Sequence, residues 1–259
     1  MLTTAALILI VTSKVVLGQD DRWAVKGQRY SLNMALDSVD DRYDGCSSKM
    51  KKLVKEKFQK KEIAANKSGF GTAWNTSKNE TREPQDNLTK NHLIAIYVYT
   101  GAVAGLYKEF NQDVRTGSEK YQKNTFSWYS LHFWLTRAIH TLKQTQNGCI
   151  LTYRGTWDTI DGDKSKEIRF GSFASSSLDR KVAERFGTKS CFEIRTCYGA
   201  NVTEFSRYRY QNEVLIPPYE TFNITNIKNT HWCETVFVLN STGIKSNLNC
   251  SVASVKPMK

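Results

Sequence analysis

The sequence lacks the short motifs that mark several common cofactor sites. It contains no Cys-x-x-Cys pair and no cysteine and histidine spacing of the zinc-binding kind, which argues against a metal site. It also contains neither a Gly-x-Gly-x-x-Gly nor a P-loop sequence, so nucleotide binding through a Rossmann or P-loop fold is not predicted. No internal repeat is visible along the chain, which argues against a solenoid or propeller.

Long apolar segments are also scarce. The C-terminal residues CSVASVKPMK form no apolar tail, so we expect neither a membrane anchor nor a GPI signal there. Near the N-terminus, the apolar run 3–12 is short for a membrane span, and small residues follow at Val16 and Gly18. We interpret residues 1–18 as a secretory signal peptide, although the only nearby cation, Lys14, follows the apolar run. Its removal would lower the formal charge from +12 to +11 and leave residues 19–259 as one secreted, extracellular domain.

The cysteines and the glycosylation sequons fit this secretory interpretation. An even number of cysteines behind a signal peptide favours disulfide bonds, although six cysteines allow 15 pairings; they are Cys46, Cys149, Cys191, Cys197, Cys233 and Cys250. Four Asn-x-Ser/Thr sequons within 66–87 predict an exposed, glycosylated loop. The full set of sequons is Asn66, Asn75, Asn79, Asn87, Asn201, Asn223, Asn240 and Asn249.

Basic residues outnumber acidic ones by 37 to 25. Such a surface attracts nucleic acid, acidic glycans or anionic nucleotides, or simply aids solubility. Seven lysines lie within 49–63, where Met50, Val54 and Phe58 recur at helical spacing. This pattern predicts an amphipathic helix with a solvated basic face, and a heparin or membrane role is the alternative. No stacking or groove-reading motif accompanies the charge, so nucleic-acid binding is not predicted.

The two halves of the chain differ in periodicity. Helices are predicted within 92–107, with a break at Gly101, and over 130–143, whereas residues 66–90 are predicted to be loop. The second half is rich in β-branched and aromatic residues, with one helix at about 178–187 that ends at Gly187. The predicted strands are 150–154, 168–174, 191–197, 202–205, 213–216, 221–225 and 235–239. This predicts an α+β fold, with a helical part of about 19–148 packed on a β-rich part of about 149–259.

Three polar segments of the second half are candidates for a site. In Tyr153-Arg154-Gly155, an arginine at a strand end could bind phosphate or carboxylate, or form a structural ion pair. The serines at 175–177 stand between a predicted strand and a predicted helix, where they could simply cap the helix. Glu213 begins the apolar strand VLIPP, and alone it would be a surface carboxylate.

Together these segments resemble a known signature. Tyr-Arg-Gly, then Phe-x-Ser-x-Ser, then a carboxylate before Val-Leu-Ile-Pro-Pro is similar to the Arg–Ser–Glu pattern of the animal ecto-mono-ADP-ribosyltransferases. Further similar segments extend over nearly the whole mature chain; they are DDRYDGC (40–46), AIYVYTG (95–101), LYKEFNQDVR (106–115), SLHFWLTRAI (130–139), IRFGSFASSSL (168–178), TCYG (196–199) and SNLNC (246–250).

The resemblance implies a core of two β-sheets with NAD in the cleft between them. It implies that Arg154 contacts the NAD phosphates, that Ser175 lines the nicotinamide-ribose side and that Glu213 is the catalytic carboxylate. Such a carboxylate stabilises the positive charge that grows on the ribose as the nicotinamide bond breaks, and the Ser175 hydroxyl could fix its rotamer. The resemblance also places three further residues at nucleotide-contacting positions, namely Tyr99, Ser172 and Ser206. It implies the disulfides Cys46–Cys250 and Cys149–Cys197, which leaves Cys191 and Cys233 as a possible third pair.

The chain departs from the arginine-modifying members at one position. They carry Glu-x-Glu, whereas this sequence reads Gln211-Asn212-Glu213. On one strand, the first of these residues would share a face with Glu213. A glutamine there can hydrogen-bond a guanidinium but cannot take its proton. Tyr208 and Tyr210 could form an aromatic platform for the acceptor, or merely pack.

The sequence therefore predicts a secreted transferase that moves ADP-ribose from NAD+, with NADP+ as an alternative donor, to extracellular or cell-surface proteins without a metal. Arginine is the family's usual acceptor, but Gln211 predicts strong NAD glycohydrolase character. Two alternatives stay open: an ordinary arginine-specific transferase that tolerates Gln211, and a catalytically silent basic glycoprotein that acts as a binding module. The oligomeric state is not predicted.

Overall fold

The computed structural model describes residues 28–101 and 105–254. The predicted signal peptide lies outside the described residues. Within them, no helix combines the length and the apolar character that crossing a membrane requires. The helices are α1 (Ser47–Leu53), α2 (Gln59–Ala65), α3 (Phe70–Glu80), α4 (Lys90–Thr100), α5 (Leu106–Thr116), α6 (Ser118–Gln122), α7 (Tyr129–Lys143), α8 (Arg180–Glu184) and α9 (Ser251–Ser254).

A π-helical turn, Val54–Phe58, joins α1 to α2 without a break. The strands are β1 (Arg29–Ser31), β2 (Ile150–Thr156), β3 (Thr159–Asp161), β4 (Glu167–Arg169), β5 (Ala174–Ser177), β6 (Ser190–Thr196), β7 (Ala200–Asn201), β8 (Glu213–Ile216), β9 (Glu220–Thr230) and β10 (Cys233–Ile244).

The α+β prediction is confirmed: in the described residues, seven of the nine helices precede β2, and only β1 of the ten strands precedes the helices. Eight strands form one mixed sheet in the order β4-β9-β10-β6-β2-β5-β8-β7, and β1 pairs with β3. The two expected sheets correspond to two parts of this single sheet, β4-β9-β10-β6-β2 and β5-β8-β7. They meet where β2 pairs with β5 through a single residue pair, Tyr153 with Ser177. Because so short a pairing leaves the remaining lengths of both strands apart, a cleft opens between the two parts.

The helical part supplies most of the larger core. α7 is the best-buried helix, and its aromatic and aliphatic side chains pack against α2 and α4. Phe173, which directly precedes β5, and Leu215 of β8 belong to the same buried cluster as residues of the helices. A second cluster, around Phe192, Phe222 and Phe237, fills the other part of the sheet. The helices therefore pack directly on the strands that carry the candidate site.

Three secondary-structure predictions are wrong. Residues 66–90 contain helix α3, because Phe70, Ala73 and Trp74 recur at helical spacing and are buried, although the surrounding polar sequons suggested a loop. The predicted strand 202–205 is a 3₁₀ turn, Thr203–Phe205, that follows the short β7. The predicted strand 168–174 is divided between β4 and β5, since Gly171 between them has a φ of +68°. An L side chain is strained in that left-handed region.

The asparagines of the four clustered sequons are exposed, as predicted. Asn66, Asn75, Asn79 and Asn87 are all exposed, although Asn75 and Asn79 lie on α3 rather than in a loop. Their glycosylation stays a prediction.

The three disulfides are Cys46–Cys250, Cys149–Cys197 and Cys191–Cys233, which confirms the predicted pairs. The Cys46–Cys250 disulfide spans a sequence separation of 204 residues and joins the start of α1 to the segment before α9. The third fastens β6 to β10, where the two strands run parallel.

Candidate active site

A cleft of about 330 Å³ lies where β2 and β5 meet. It brings together Arg154, Ser175, Gln211 and Glu213, which come from three separate segments of the sequence. The full lining is Tyr153, Arg154, Gly155, Ser175, Ser176, Ser177, Ala183, Phe186, Gln211 and Glu213. Three of the predicted segments therefore converge on one concave surface.

Arg154 is held at the cleft by the close packing of α8 on β2. It lies within β2, which continues to Thr156, rather than at the end of a strand. A Cβ on the next residue, Gly155, would lie 2.2 Å from the carbonyl oxygen of Gly187, so only glycine permits this approach. The half-buried Arg154 donates from Nη1 to the carbonyl oxygen of Ser175 at 2.6 Å. This bond joins the two sides of the cleft and orients the guanidinium.

The three serines form strand β5 and do not begin the following helix. Asp179 is the N-cap of α8, and its side chain accepts from the backbone N–H of Lys181. Ser176 donates to the carbonyl oxygen of Val214 at 3.0 Å, and Ser177 donates to that of Gln211 at 2.7 Å. The serine hydroxyls thus add side-chain bonds to the pairing of β5 with β8. The helix-capping alternative is wrong, because β5 continues through all three serines.

Glu213 is the first residue of β8 and is only 2% exposed. The hydroxyl of Ser206, itself buried, donates to its carboxylate Oε2 at 3.3 Å. That role was expected of Ser175, but β5 pairs Ser175 with Leu215 and places Ser177 opposite Glu213. The same Ser206 oxygen accepts from the backbone N–H of Tyr208 at 3.3 Å. A turn that precedes the strand therefore orients the carboxylate.

Gln211 is not on the strand that carries Glu213. It ends a 3₁₀ turn, Arg209–Gln211, and Asn212 then adopts a left-handed conformation with a φ of +46° before β8 begins. The expectation that Gln211 shares a strand face with Glu213 was therefore wrong, since two-residue spacing places side chains on one face only when both residues lie within a strand. Gln211 nevertheless lines the same cleft and is 5% exposed. The turn, rather than the strand, brings its side chain beside Glu213.

Tyr208 and Tyr210 lie in the same turn region. Their rings are edge-to-face at a centroid distance of 5.9 Å, and Tyr210 is 60% exposed. The exposed ring of Tyr210 offers an aromatic surface beside the cleft, while Tyr208 is half-buried. Their predicted role in holding an acceptor stays a prediction.

The base of this loop is fastened to the helical part. The backbone N–H of Arg207 donates to Thr100 Oγ1 at 2.9 Å. The Arg207 guanidinium lies 5.2 Å from the ring centre of Tyr97 and 3.3 Å from the carboxylate of Glu80. Sequence reasoning did not find this arrangement, because Glu80, Tyr97 and Arg207 carry no local signal that links them. It holds Ser206 next to Glu213 from the helical side.

Tyr99 and Ser172 are not among the residues that line the cleft. Tyr99 is fully buried, donates to the carbonyl oxygen of Phe173 at 2.9 Å and accepts from Asn111 at 3.2 Å. Burial, followed by the neighbouring Tyr107, raises its pKa well above the ordinary value, and Glu213 adds to this effect. Tyr99 therefore supports the strand behind the site. Ser172 is half-buried in the bend between β4 and β5.

Candidate metal ligands do not cluster in this part of the chain. Among residues 28–101 and 105–254, no group of three or more His, Cys, Asp or Glu side chains could hold a metal ion. The cleft instead combines one cation, Arg154, with one buried carboxylate, Glu213. Such a pair suits a ligand that has an anionic part and develops positive charge at another part.

Comparison with known proteins gives consistent matches. The family profile described as NAD:arginine ADP-ribosyltransferase matches residues 32–247. Ecto-ADP-ribosyltransferase 5 of Bos taurus is 36% identical over 241 residues, which are 87% of this chain and 75% of that protein. The erythroblast NAD(P)(+)--arginine ADP-ribosyltransferase of Gallus gallus is 33% identical over 237 residues, which are 88% of this chain and 78% of that protein.

Solved structures agree with the sequence matches. A mutant of the eukaryotic mono-ADP-ribosyltransferase ART2.2 in complex with NADH has a TM-score of 0.72 and 30% identity, and the match covers 85% of this chain and 98% of that one. Another ART2.2 mutant, in complex with NAD, has a TM-score of 0.71 and 31% identity over the same shares of the two chains.

Proposed function

The chain belongs to the NAD:arginine ADP-ribosyltransferase family, and from this premise we propose that it cleaves NAD+ with Arg154, Ser175 and Glu213. It then transfers ADP-ribose to a protein side chain, with water as a strong competitor. Nicotinamide is the other product. The observation that carries this proposal is the convergence of these three residues and Gln211 on one cleft.

Each residue has a role that follows from its chemistry. The Arg154 guanidinium, already oriented by its bond to Ser175, is a planar cation suited to binding the pyrophosphate. Glu213 stabilises the positive charge that develops on the nicotinamide ribose when the glycosidic bond breaks. Because Glu213 is buried, its charge acts in a medium that screens it weakly. Ser206 holds the carboxylate in one orientation through its hydroxyl.

Gln211 decides what happens to the ADP-ribosyl group after cleavage. A carboxylate at this position would balance the charge of an arginine acceptor and help to remove its proton, whereas a neutral amide offers only hydrogen bonds. Cleavage depends on Glu213 and stays intact, while transfer to a guanidinium is weakened. We therefore propose that much of the NAD+ consumed is hydrolysed, and that NADP+ is a second substrate in view of the NAD(P)(+) in the names of relatives.

The test is nicotinamide release from NAD+ by the purified mature protein, with and without a small guanidino acceptor, beside a Gln211→Glu variant. We expect release without acceptor, little adduct from the native protein and at least tenfold more adduct from the variant. Asn212→Asp is the matched control, because it adds the same charge one residue away at a half-buried left-handed position that aspartate tolerates.

The alternatives give distinct results. Efficient adduct formation by the native protein, unchanged by Gln211→Glu, would show an arginine transferase that tolerates glutamine. An equal gain from Asn212→Asp would show a general charge effect and contradict the role of Gln211. No nicotinamide release from a folded protein would leave a binding module as the function.

We also propose that the protein is secreted and glycosylated. The three disulfides and the exposed sequons on and around α3 support this, as does the prefix "ecto" in the names of relatives. Expression in animal cells should place the protein in the medium, with an N-terminus at Gln19 and a mass that falls on removal of N-glycans. Retention inside the cell without glycans would contradict the proposal.

A further inference from the structure

The helical segment 47–65 carries a dense basic surface remote from the cleft. Its buried side consists of Met50, Val54, Phe58 and Glu62, which recur at every fourth residue. The π turn at Val54–Phe58 keeps this four-residue repeat in line, since a π turn holds more residues than an α turn. The remaining positions hold seven exposed lysines: Lys49, Lys51, Lys52, Lys55, Lys57, Lys60 and Lys61.

These lysines are not neutralised by neighbouring carboxylates. Among residues 28–101 and 105–254, none of the seven lies within ion-pair distance of an Asp or Glu, whereas the nearby Lys67 is paired with Glu109 and Asp113. The only exposed carboxylate on the segment is Glu56. With the buried Glu62 set aside, the surface carries a net charge of +6 over about 18 Å of helix, at 1.5 Å per residue.

One side of this surface borders a hollow. Lys57 and Lys61 line a cavity of about 700 Å³ between the helical segment and residues 124–129. Asn124, Thr125 and Ser127 line it as well and supply amide and hydroxyl groups. The Glu62 carboxylate at its wall already accepts from the backbone N–H groups of Tyr129 and Ser130, so it is held at the start of α7.

We propose that the seven lysines of segment 47–65, with this hollow, form a binding surface for a sulfated polysaccharide. Closely spaced lysines attract a polyanion, and a lysine-rich stretch of this kind is typical of heparin patches. The hydroxyl and amide groups of the hollow match the polar groups of a sugar ring. The hollow and the catalytic cleft share no lining residue. The enzyme can therefore bind NAD+ while it is held on a glycan.

Two other anionic partners fit less well. A helix that lies on a membrane inserts its apolar face between lipids, but here that face is buried in the protein, with Met50 and Val54 at 0% exposure. Single-stranded nucleic acid is held by exposed aromatic rings, and the aromatic residue of the segment, Phe58, is 5% exposed. A sulfated chain requires charge and hydrogen bonds alone, and this surface provides both.

The test measures heparin binding by the mature protein over a series of salt concentrations. A Lys51→Gln, Lys55→Gln, Lys60→Gln variant should bind at least tenfold more weakly at physiological salt. By analogy with other polyanions, the slope of log Kd against log salt should fall by roughly two to three units for three lost contacts. The matched control is Lys108→Gln, Lys164→Gln, Lys245→Gln. These three lysines are exposed outside segment 47–65, and their replacement also lowers the net charge by three.

Each result decides the proposal. Loss of binding by the first variant but not by the control supports it, provided that both variants keep the circular dichroism spectrum and the unfolding midpoint of the native protein. An equal loss by the control would show that overall charge, rather than this surface, binds heparin. No heparin binding at physiological salt, or tighter binding of the native protein to phosphatidylserine vesicles or to single-stranded RNA than to heparin, would overturn the proposal.

Discussion

Replacing Ser206 with alanine tests whether the turn before β8 orients the carboxylate of Glu213, the proposed catalytic residue. The Ser206 hydroxyl donates to Glu213 at 3.3 Å, and both residues are at least 95% buried, so water cannot readily replace the lost donor. A hydrogen bond to a charged group contributes about 1.5–3 kcal/mol, and the long distance places this one near the lower value. Since 1.36 kcal/mol corresponds to tenfold in rate, we expect kcat for nicotinamide release to fall about tenfold.

The assay is nicotinamide release from NAD+ at several substrate concentrations, which separates kcat from KM. Because Ser206 acts through Glu213, KM should change less than kcat. Ser190→Ala is the control, since it removes an equally buried serine hydroxyl that accepts from the backbone N–H of Ile160 outside the cleft. A kcat for Ser206→Ala within twofold of the native value, or an equal loss in the control, would refute the orienting role.

Three further predictions follow from the cleft and the core. Arg154→Ala should lower kcat/KM for NAD+ by about 100-fold, because it removes the proposed charge-assisted bonds to the pyrophosphate. Arg154→Lys should restore only part of kcat/KM, since lysine lacks the planar fork; steady-state kinetics of both variants measures this. Burial raises the pKa of Glu62 to about 7 from 4.5. Between these values the folded chain keeps a proton that the unfolded chain has released, so stability should fall as the pH rises from 4.5 to 7; urea unfolding at pH 5 and pH 7 should show a smaller fall in Glu62→Gln. Replacing Cys191 and Cys233 by serine opens a loop of 42 residues and should cost about 4 kcal/mol of unfolding free energy, measured by denaturation of the doubly substituted protein.

Strong local patterns predicted several elements well. Helix α7 was expected over 130–143 and spans Tyr129–Lys143, because its apolar residues repeat at the helical period over four turns. Strand β8 was expected over 213–216 and has those bounds, because a charged residue precedes its apolar run and prolines follow it. Local patterns failed where polar residues interrupted them. In α3, the polar residues of the sequons obscure the helical spacing of the buried residues Phe70, Ala73 and Trp74.

The candidate site was predicted in its residues but not in its contacts. Arg154, Ser175 and Glu213 were identified by their order along the chain, and they share one cleft. Their hydrogen bonds depend on the register of β5 with β8 and on two consecutive turns before β8, neither of which can be read from residue types. Consequently Ser206 donates to the Glu213 carboxylate, a role that was expected of Ser175.

The sequence by itself determined the family, the three candidate residues that line one cleft and the glutamine that distinguishes this chain from the Glu-x-Glu members. These are properties of residue identity and order, so they need no three-dimensional information. The tertiary structure alone decided that Gln211 reaches the cleft from a 3₁₀ turn, that Tyr99 is buried behind the site and that Arg207 joins the loop to Tyr97 and Glu80. Such contacts join residues up to 127 positions apart, and only the packing of the helical part on the sheet brings them together.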